Sequence, residues 1–247
     1  MKRIIYRVYI CVIFLPLFVV LTILAAVVAG VGCLWGSDAI FSYYPGMIWS
    51  RLTLALLLTP VEIQGQENIP ADSPCVICAN HQSAIDIFLL YGYIGVPFKW
   101  VLRASLRKIP FVGWACEKSG FIFADNSSPE AARKVVDDAK KALERGFYIM
   151  IFPEGTRSQT GKLGRFKKGA FRIVLDTHTP ILPVSVNGAY EVLPKTGRRF
   201  PEWHRLRLVI HPPIQVANYG TDIRGMISLT QDTHQAVQSG LEPQYLC

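Results

Sequence analysis

The feature that most constrains this chain is an uncharged, apolar segment near its N-terminus. The 30 residues from Val8 to Ser37 include no Asp, Glu, Lys or Arg. A helix of that length would reach about 45 Å, whereas the hydrocarbon core of a bilayer is about 30 Å thick. We expect Pro16 to kink this helix or to mark a boundary in it, and Gly30, Gly32 and Gly36 to loosen its far end. The segment therefore predicts a membrane element.

A second apolar segment runs from Ala39 to Pro60 and carries Arg51 in its middle. A charge is costly in hydrocarbon, so this segment is predicted to lie at the membrane interface rather than to span the bilayer. We expect residues 1–60 to form a hydrophobic two-helix hairpin that anchors a second domain, residues 61–247. A single spanning helix is the alternative. A cleaved signal peptide is disfavoured because the apolar run is too long for one.

The charge of the chain favours anionic partners. The 26 Lys and Arg exceed the 18 Asp and Glu, which gives a formal net charge of +8 at pH 7. This balance suits phosphate groups and the anionic surface of the cytoplasmic leaflet. No nucleic-acid-binding motif accompanies it, so nucleic acid is not an expected partner. Lys2, Arg3 and Arg7 predict a cytoplasmic N-terminus.

These charges predict a location as well as partners. We expect the inner, cytoplasmic membrane, with the second domain facing the cytoplasm. The single-helix alternative would place that domain outside. The six cysteines agree with a reducing compartment, since they do not form the pattern of a disulfide scaffold. Cys75 and Cys78 lie in an apolar, strand-like run without a second cysteine pair, and are predicted to be buried free thiols rather than metal ligands.

From Val61 onward, short β-branched or aromatic runs alternate with helical patterns. Strands are predicted over 61–64, 75–79, 97–101, 120–124, 147–152, 181–187 and 205–211, and helices over 84–94, 129–145, 168–177 and 222–239. This alternation predicts the α/β class, with a mixed central sheet flanked by helices. Functional sites in such folds lie where strands end, and two polar clusters occur at such places.

The first polar cluster contains His81 and Asp86, between the strand predicted to end at residue 79 and the helix predicted from residue 84. A histidine there could present one ring nitrogen to a substrate, while the helix start returns Asp86 to the other nitrogen and fixes the tautomer. The alternative is a loop histidine beside an acid at a helix start. For an isolated HxxxxD pattern that alternative is the better interpretation.

The second polar cluster is Glu154-Gly155-Thr156-Arg157, which also follows a predicted strand. Gly155 permits close approach of the backbone, Thr156 offers a hydroxyl, and Arg157 offers a rigid fork for phosphate. Backbone N–H groups near Gly155 are candidate donors to an oxyanion. A P-loop is excluded by the spacing, because five residues separate Gly155 from Gly161. Taken alone, the cluster is better interpreted as a solvated turn.

Together the two clusters resemble the lysophosphatidate acyltransferase family of glycerolipid acyltransferases (1-acylglycerol-3-phosphate O-acyltransferases). His81 and Asp86 match the HxxxxD motif of that family, and residues 154–157 match its EGTR motif. Gly120-Phe121-Ile122-Phe123 resembles its third motif and Ile181-Leu182-Pro183-Val184 its fourth. Arg103, followed by residues 109–114, is similar to a stretch that binds the acceptor phosphate. The resemblance covers roughly residues 60 to 215.

The resemblance implies an O-acyltransferase that moves an acyl chain from a thioester to the free hydroxyl of lysophosphatidate and gives phosphatidate. It implies that His81 is the general base and that Asp86 orients its ring. It also implies a substrate-binding set, namely Arg103, Glu154, Gly155, Thr156 and Arg157. The donor would be acyl-CoA or acyl-ACP, with acyl-carrier protein a partner in the second case. Neither a metal nor a tightly bound cofactor is expected, because the thioester already activates the acyl group.

One position departs from the family pattern. Asn126 stands where the third motif usually has Arg. This departure predicts either weaker binding of the acceptor or another acceptor, such as glycerol 3-phosphate, a lysophospholipid or a lyso-amino-acid lipid. A non-catalytic lipid-binding membrane protein is a further alternative, which the intact pair of His81 and Asp86 disfavours.

Overall fold

The computed structural model describes residues 2–125, 128–197 and 200–246. Asn126, the position that departs from the family pattern, lies outside the described residues. Ten α-helices occur in the part of the chain that is described, in the order α1 (Lys2–Tyr9), α2 (Leu15–Trp35), α3 (Asp38–Phe41), α4 (Tyr44–Leu56), α5 (Ile85–Tyr93), α6 (Val112–Lys118), α7 (Pro129–Glu144), α8 (Lys168–Thr177), α9 (Ala189–Val192) and α10 (Ile223–Ser239).

Seven strands of the described residues form one sheet: β1 (Val61–Gln64), β2 (Val76–Ala79), β3 (Phe98–Arg103), β4 (Ile122–Ala124), β5 (Tyr148–Ile151), β6 (Ile181–Asn187) and β7 (Leu206–Ile210). Their order across the sheet is β1-β7-β6-β2-β5-β3-β4. All neighbours are parallel except β6 and β7, which are antiparallel. The predicted mixed sheet flanked by helices is confirmed. Because β6, β2, β5, β3 and β4 are mutually parallel, their C-terminal ends share one edge of the sheet.

The two faces of the sheet carry separate hydrophobic clusters. On β2, Ile77 belongs to the cluster that also contains Leu54 of α4 and Leu89 of α5. The neighbouring Val76 belongs to the other cluster, together with residues of α7, α8 and α10, such as Phe171. Side chains alternate between the two faces of the sheet along a strand. Because both faces are buried, the sequences of β2 and β5 are continuous apolar runs.

The N-terminal segments form the predicted hairpin. Helix α1, a π-helical segment (Ile10–Phe14) and α2 follow one another, and α4 returns beside them. The indole N–H of Trp49 donates to Thr22 Oγ1 at 3.0 Å, and the hydroxyl of Tyr6 donates to the carbonyl of Leu57 at 2.9 Å. The helical stretch Ile4–Trp35, 32 residues, is long and apolar enough to cross a membrane. The hairpin is thus suited to membrane association.

Pro16 has the role predicted for it in the hairpin, whereas two of the glycines do not. Pro16 is the second residue of α2, directly after the π-helical segment, so it marks the predicted boundary. Gly30 and Gly32 do not loosen the helix, which continues to Trp35. They provide room for aromatic rings: a Cβ on Gly30 would lie 2.1 Å from the ring of Trp114, and one on Gly32 would lie 2.1 Å from that of Phe41. Tertiary packing thus explains these two glycines.

Helix α4, the returning arm of the hairpin, packs against α5 of the sheet domain. Its Arg51 donates through Nε to the carbonyl of Gly92, at the end of α5, at 2.7 Å. On β3, the fully buried Lys99 donates to Ser42 Oγ, between α3 and α4, and to the carbonyl of Ser119, each at 2.7 Å. Burial lowers the pKa of Lys99 to about 8. These polar contacts join the hairpin to the sheet.

Candidate active site

Strands β2 and β5 are neighbours in the sheet, so the loops that follow them lie side by side. The loop after β2 carries His81, and the loop after β5 carries the Glu154–Arg157 turn. Asn80 fixes the start of the first loop, because its amide donates to the carbonyl of Val186 on β6 at 2.9 Å and accepts the backbone N–H of the same residue at 2.7 Å. The two polar clusters of the sequence therefore meet at one edge of the sheet.

The imidazole of His81 is held by the carboxylate of Asp86. His81 Nδ1 lies 2.7 Å from Asp86 Oδ2, and the same oxygen accepts the backbone N–H groups of Gln82 at 2.7 Å and Ser83 at 2.8 Å. Helix α5 begins at Ile85, so the carboxylate of Asp86 lies in its first turn, at the positive end of the helix dipole. The predicted contact between ring and carboxylate is confirmed. Because a carboxylate only accepts, the ring carries its proton on Nδ1 and leaves the lone pair on Nε2.

The ring of His81 is also fixed by packing. It stacks on Phe152 with 3.8 Å between ring centroids and 9° between the planes, and Phe152 in turn stacks on Trp100. The side chain of His81 retains 15% of its exposure, whereas that of Asp86 has none. A buried acid behind a partly exposed imidazole is the arrangement of a general base with an orienting carboxylate.

Glu154 supports both loops from inside the protein. Its Oε1 accepts the backbone N–H of His81 at 2.8 Å, and its Oε2 accepts that of Gly164 at 3.1 Å. Burial raises the pKa of Glu154 to about 7, against the lowering effect of these two hydrogen bonds. The structure therefore places Glu154 as a brace between the two motifs, and its contact with substrate stays a prediction.

Cations from two directions hold the turn that contains Gly155, Thr156 and Arg157. Arg103, at the end of β3, donates from Nη2 to the carbonyl of Gly155 at 2.6 Å. Lys195, in the connection between β6 and β7, donates from Nζ to Thr156 Oγ1 at 3.1 Å and to the carbonyl of Arg157 at 3.3 Å. Lys195 was not predicted as a site residue, because it lies in no motif and only the fold brings it to this turn.

A pocket of about 240 Å³ opens beside this turn. Three cations line it, Arg157, Arg165 and Lys195, and Glu154 and Thr156 also contribute to its wall. The backbone N–H of Gly155 donates to the carbonyl of Phe152 at 2.9 Å, so it is not available to an oxyanion. The arrangement can bind an anionic group next to a histidine base.

Neither cysteine of the apolar run before His81 lines this pocket. Cys75 and Cys78 are buried free thiols, as predicted. Burial raises the pKa of Cys75 to about 11 and that of Cys78 still further. Both thiols are therefore protonated near neutral pH, which removes the thiolate that a nucleophile or metal ligand requires.

In the described residues, a seven-stranded α/β sheet carries a histidine held by a buried aspartate, beside a cationic pocket. This arrangement suits an enzyme that transfers a group to an anionic substrate. The chain belongs to the acyltransferase family, whose family model, "Acyltransferase", matches residues 60–187. That match includes every residue of both motif loops.

Similar proteins carry consistent names. A 1-acyl-sn-glycerol-3-phosphate acyltransferase of Pseudomonas aeruginosa is 35% identical over 180 residues, which are 70% of this chain and 67% of that protein. The chloroplast enzyme BAT2 of Brassica napus is 35% identical over 178 residues, 70% of this chain and 50% of that protein. The chain thus spans about half the length of its chloroplast relatives.

A solved structure is similar over nearly the whole chain. The 1-acyl-sn-glycerophosphate (LPA) acyltransferase PlsC of Thermotoga maritima has a TM-score of 0.80 and 27% sequence identity. The match covers 97% of this chain and 96% of that one, so it includes the N-terminal hairpin.

Proposed function

We propose that the protein acylates the free hydroxyl of lysophosphatidate and releases phosphatidate. The observation that carries this proposal is the imidazole of His81, held 2.7 Å from Asp86 beside a pocket lined by Arg157. A base and an anion-binding group at one edge of the sheet suit an acceptor that carries both a hydroxyl and a phosphate. The names of the relatives from bacteria and chloroplasts support the same acceptor.

The reaction proceeds by direct transfer. His81 Nε2 removes the proton of the acceptor hydroxyl while that oxygen attacks the thioester carbonyl carbon. The tetrahedral intermediate then collapses: the C–S bond breaks, and the imidazolium returns its proton to the leaving thiolate. Asp86 stabilises the imidazolium and keeps its ring in place. The products are an ester and a free thiol.

The substrates divide the remaining roles. Arg157 and Arg103 bind the acceptor phosphate, while Gly155 and Thr156 shape the turn against it. The donor is acyl-CoA or acyl-ACP. No metal or tightly bound cofactor is needed, because cleavage of the thioester drives the transfer.

The hairpin supplies access to lipid. Residues 1–60 anchor the acyltransferase domain, residues 61–247, to the cytoplasmic leaflet. Many apolar side chains along the first helical stretch are more than half exposed, among them Val12, Val20 and Leu24. Burying them in hydrocarbon yields about 25 cal/mol per Å². The basic body then faces an anionic membrane surface.

An acceptor panel tests the proposal. The purified full chain in detergent is supplied with acyl-CoA or acyl-ACP and with lysophosphatidate, glycerol 3-phosphate, a lysophospholipid or a lyso-amino-acid lipid. We expect phosphatidate from lysophosphatidate and far lower rates with the other acceptors. Efficient transfer to another acceptor only, or no transfer from either donor, would overturn it.

A further inference from the structure

We propose that Lys195 is a specificity-determining residue for the acceptor phosphate. This proposal rests on the function proposed above. It acts in two ways: it contributes a charge to the pocket beside Arg157, and it positions Arg157 by holding the backbone of that residue. No motif marks this lysine, and it follows β6 by eight residues.

The segment that carries Lys195 contacts both motif loops. The carbonyl of Leu193 accepts the hydroxyl of Ser83 at 2.5 Å, and Pro194 forms an isolated antiparallel bridge with Ser83. Ser83 belongs to the turn that holds His81 and Asp86. Lys195 itself donates to Thr156 and Arg157. Residues 193–195 therefore link the turn of the base to the turn of the phosphate-binding arginine.

The contacts of Lys195 leave capacity for a ligand. A protonated ammonium has three N–H donors, and Thr156 Oγ1 and the carbonyl of Arg157 occupy two of them. The half-buried side chain also lines the pocket, where Arg157 and Arg165 add two further cations. The acid in that wall, Glu154, already accepts two backbone N–H groups. An anion that enters the pocket therefore meets an excess of positive charge.

The size of the pocket indicates the part of a substrate that it takes. Its volume of about 240 Å³ is below the roughly 300–1,000 Å³ of pockets that bury a drug-sized ligand. It suits a phosphate with a short polar linker and not an acyl chain, which would desolvate the cations. The acceptor headgroup and the phosphates of coenzyme A share this chemistry. We assign the acceptor, because the pocket wall includes Arg157 and adjoins the backbone of His81.

Three substitutions distinguish the charge of Lys195 from the hydrogen bonds by which it supports the turn. Lys195→Met removes both the charge and the hydrogen bonds, Lys195→Gln keeps an N–H donor without charge, and Lys195→Arg keeps the charge. We expect the KM for lysophosphatidate to rise about tenfold in the Met and Gln variants, the loss of one charge-assisted hydrogen bond, and about threefold or less in the Arg variant. The donor KM should stay within about twofold in all three. Lys140→Met, which removes an exposed lysine of α7, is the matched control.

Several outcomes would overturn this role. A Gln variant with the wild-type acceptor KM would make Lys195 a structural support only. A defect confined to the KM of acyl-CoA would assign the pocket to the donor. A calorimetric titration with glycerol 3-phosphate tests the site without turnover: weaker binding to the Gln variant than to the wild type supports the role, and equal binding overturns it. If glycerol 3-phosphate binds the wild type more tightly than the Gln variant but the wild type does not acylate lysophosphatidate, the proposed function fails while the assignment of Lys195 stands.

Discussion

The Nδ1 atom of His81 lies 2.7 Å from Oδ2 of Asp86, although Asp86 is the fifth residue after His81 in the chain. Within one helix, residues five apart do not face each other. The contact exists because β2 ends before His81 and α5 begins only at Ile85. Two backbone N–H groups bind the same oxygen, so the carboxylate is fixed whether or not the ring is present. This independence underlies the first prediction.

Replacing His81 with Ala should abolish acyl transfer and leave folding intact. The base is lost, but Asp86 keeps its backbone hydrogen bonds, and general-base catalysis contributes about 10²–10⁴-fold. Initial rates of phosphatidate formation and the melting temperature in detergent check this expectation. His178→Asn, at an exposed left-handed position after α8, is the control. Near wild-type turnover in the Ala variant would disprove the role of His81 as base.

Replacing Asp86 with Asn should reduce kcat by about a hundredfold, less than the loss of His81. The amide no longer provides a carboxylate for His81 Nδ1, so the ring adopts the wrong tautomer or rotates, and small misplacements cost about that much. The KM values of both substrates should stay within about threefold. An Asn variant as inactive as the His81→Ala protein would mean that Asp86 does more than orient the ring.

Replacing Arg157 with Lys should raise the KM for lysophosphatidate and spare that of the donor. Lysine keeps the charge but not the planar fork, so the loss of a bidentate phosphate contact costs about 1–3 kcal/mol. A contact made equally in the ground state and the transition state affects KM rather than kcat. Separate titrations of acceptor and donor measure the effect. A defect confined to the donor would assign Arg157 to the thioester site.

Glu154 should make stability depend on pH between about pH 4 and pH 8. Its folded-state pKa of about 7 lies above the ordinary value of 4.5, so the folded protein binds this proton more tightly than the unfolded chain does. The free energy of unfolding should therefore rise as pH falls through 7 and level off below 4.5. As pH falls over this range, the free energy of unfolding of the wild type should rise by about 3 kcal/mol relative to that of the Glu154→Gln variant.

Thermal melting of both proteins at several pH values measures that difference for Glu154. The comparison with the Gln variant cancels the other carboxylates, which titrate in both proteins. A difference that does not change with pH, or one of the opposite sign, would contradict the raised pKa.

The proposed topology places the C-terminal region on the cytoplasmic side. A single cysteine introduced at the exposed Ser239, in a cysteine-free background, should resist an impermeant thiol reagent in sealed cells and react after permeabilisation. The expectation rests on the basic residues Lys2, Arg3 and Arg7 at the N-terminus. Efficient labelling of intact cells would favour a single spanning helix and exclude the hairpin topology.

Most of the fold was predictable because the sequence patterns that specify its strands and helices are local. The strands at 61–64 and 181–187 have the predicted bounds. Residues 61–64 alternate apolar and polar side chains, whereas residues 181–187 are mostly apolar and buried throughout, and both patterns are typical of strands. Helix α7 begins where Ser128 caps it, with its hydroxyl accepting the backbone N–H of Ala131 at 3.2 Å. Helix α6 was not predicted, because a segment of seven residues is too short to show a helical period in its hydrophobic residues. Its packing also depends on Gly30 of the hairpin, which makes room for Trp114.

The strands, the apolar N-terminal segment and the two motifs follow from the sequence alone, because hydrophobic period, caps and residue spacing act over a few neighbouring residues. The contacts between the motifs depend on the tertiary structure. It made Glu154 a buried brace for His81, inserted Arg51 against α5 and brought Lys195 to Thr156 across 39 positions of chain. Those contacts depend on the order of parallel strands, which places the ends of β2, β5 and β6 along one edge, and no short stretch of sequence encodes that order.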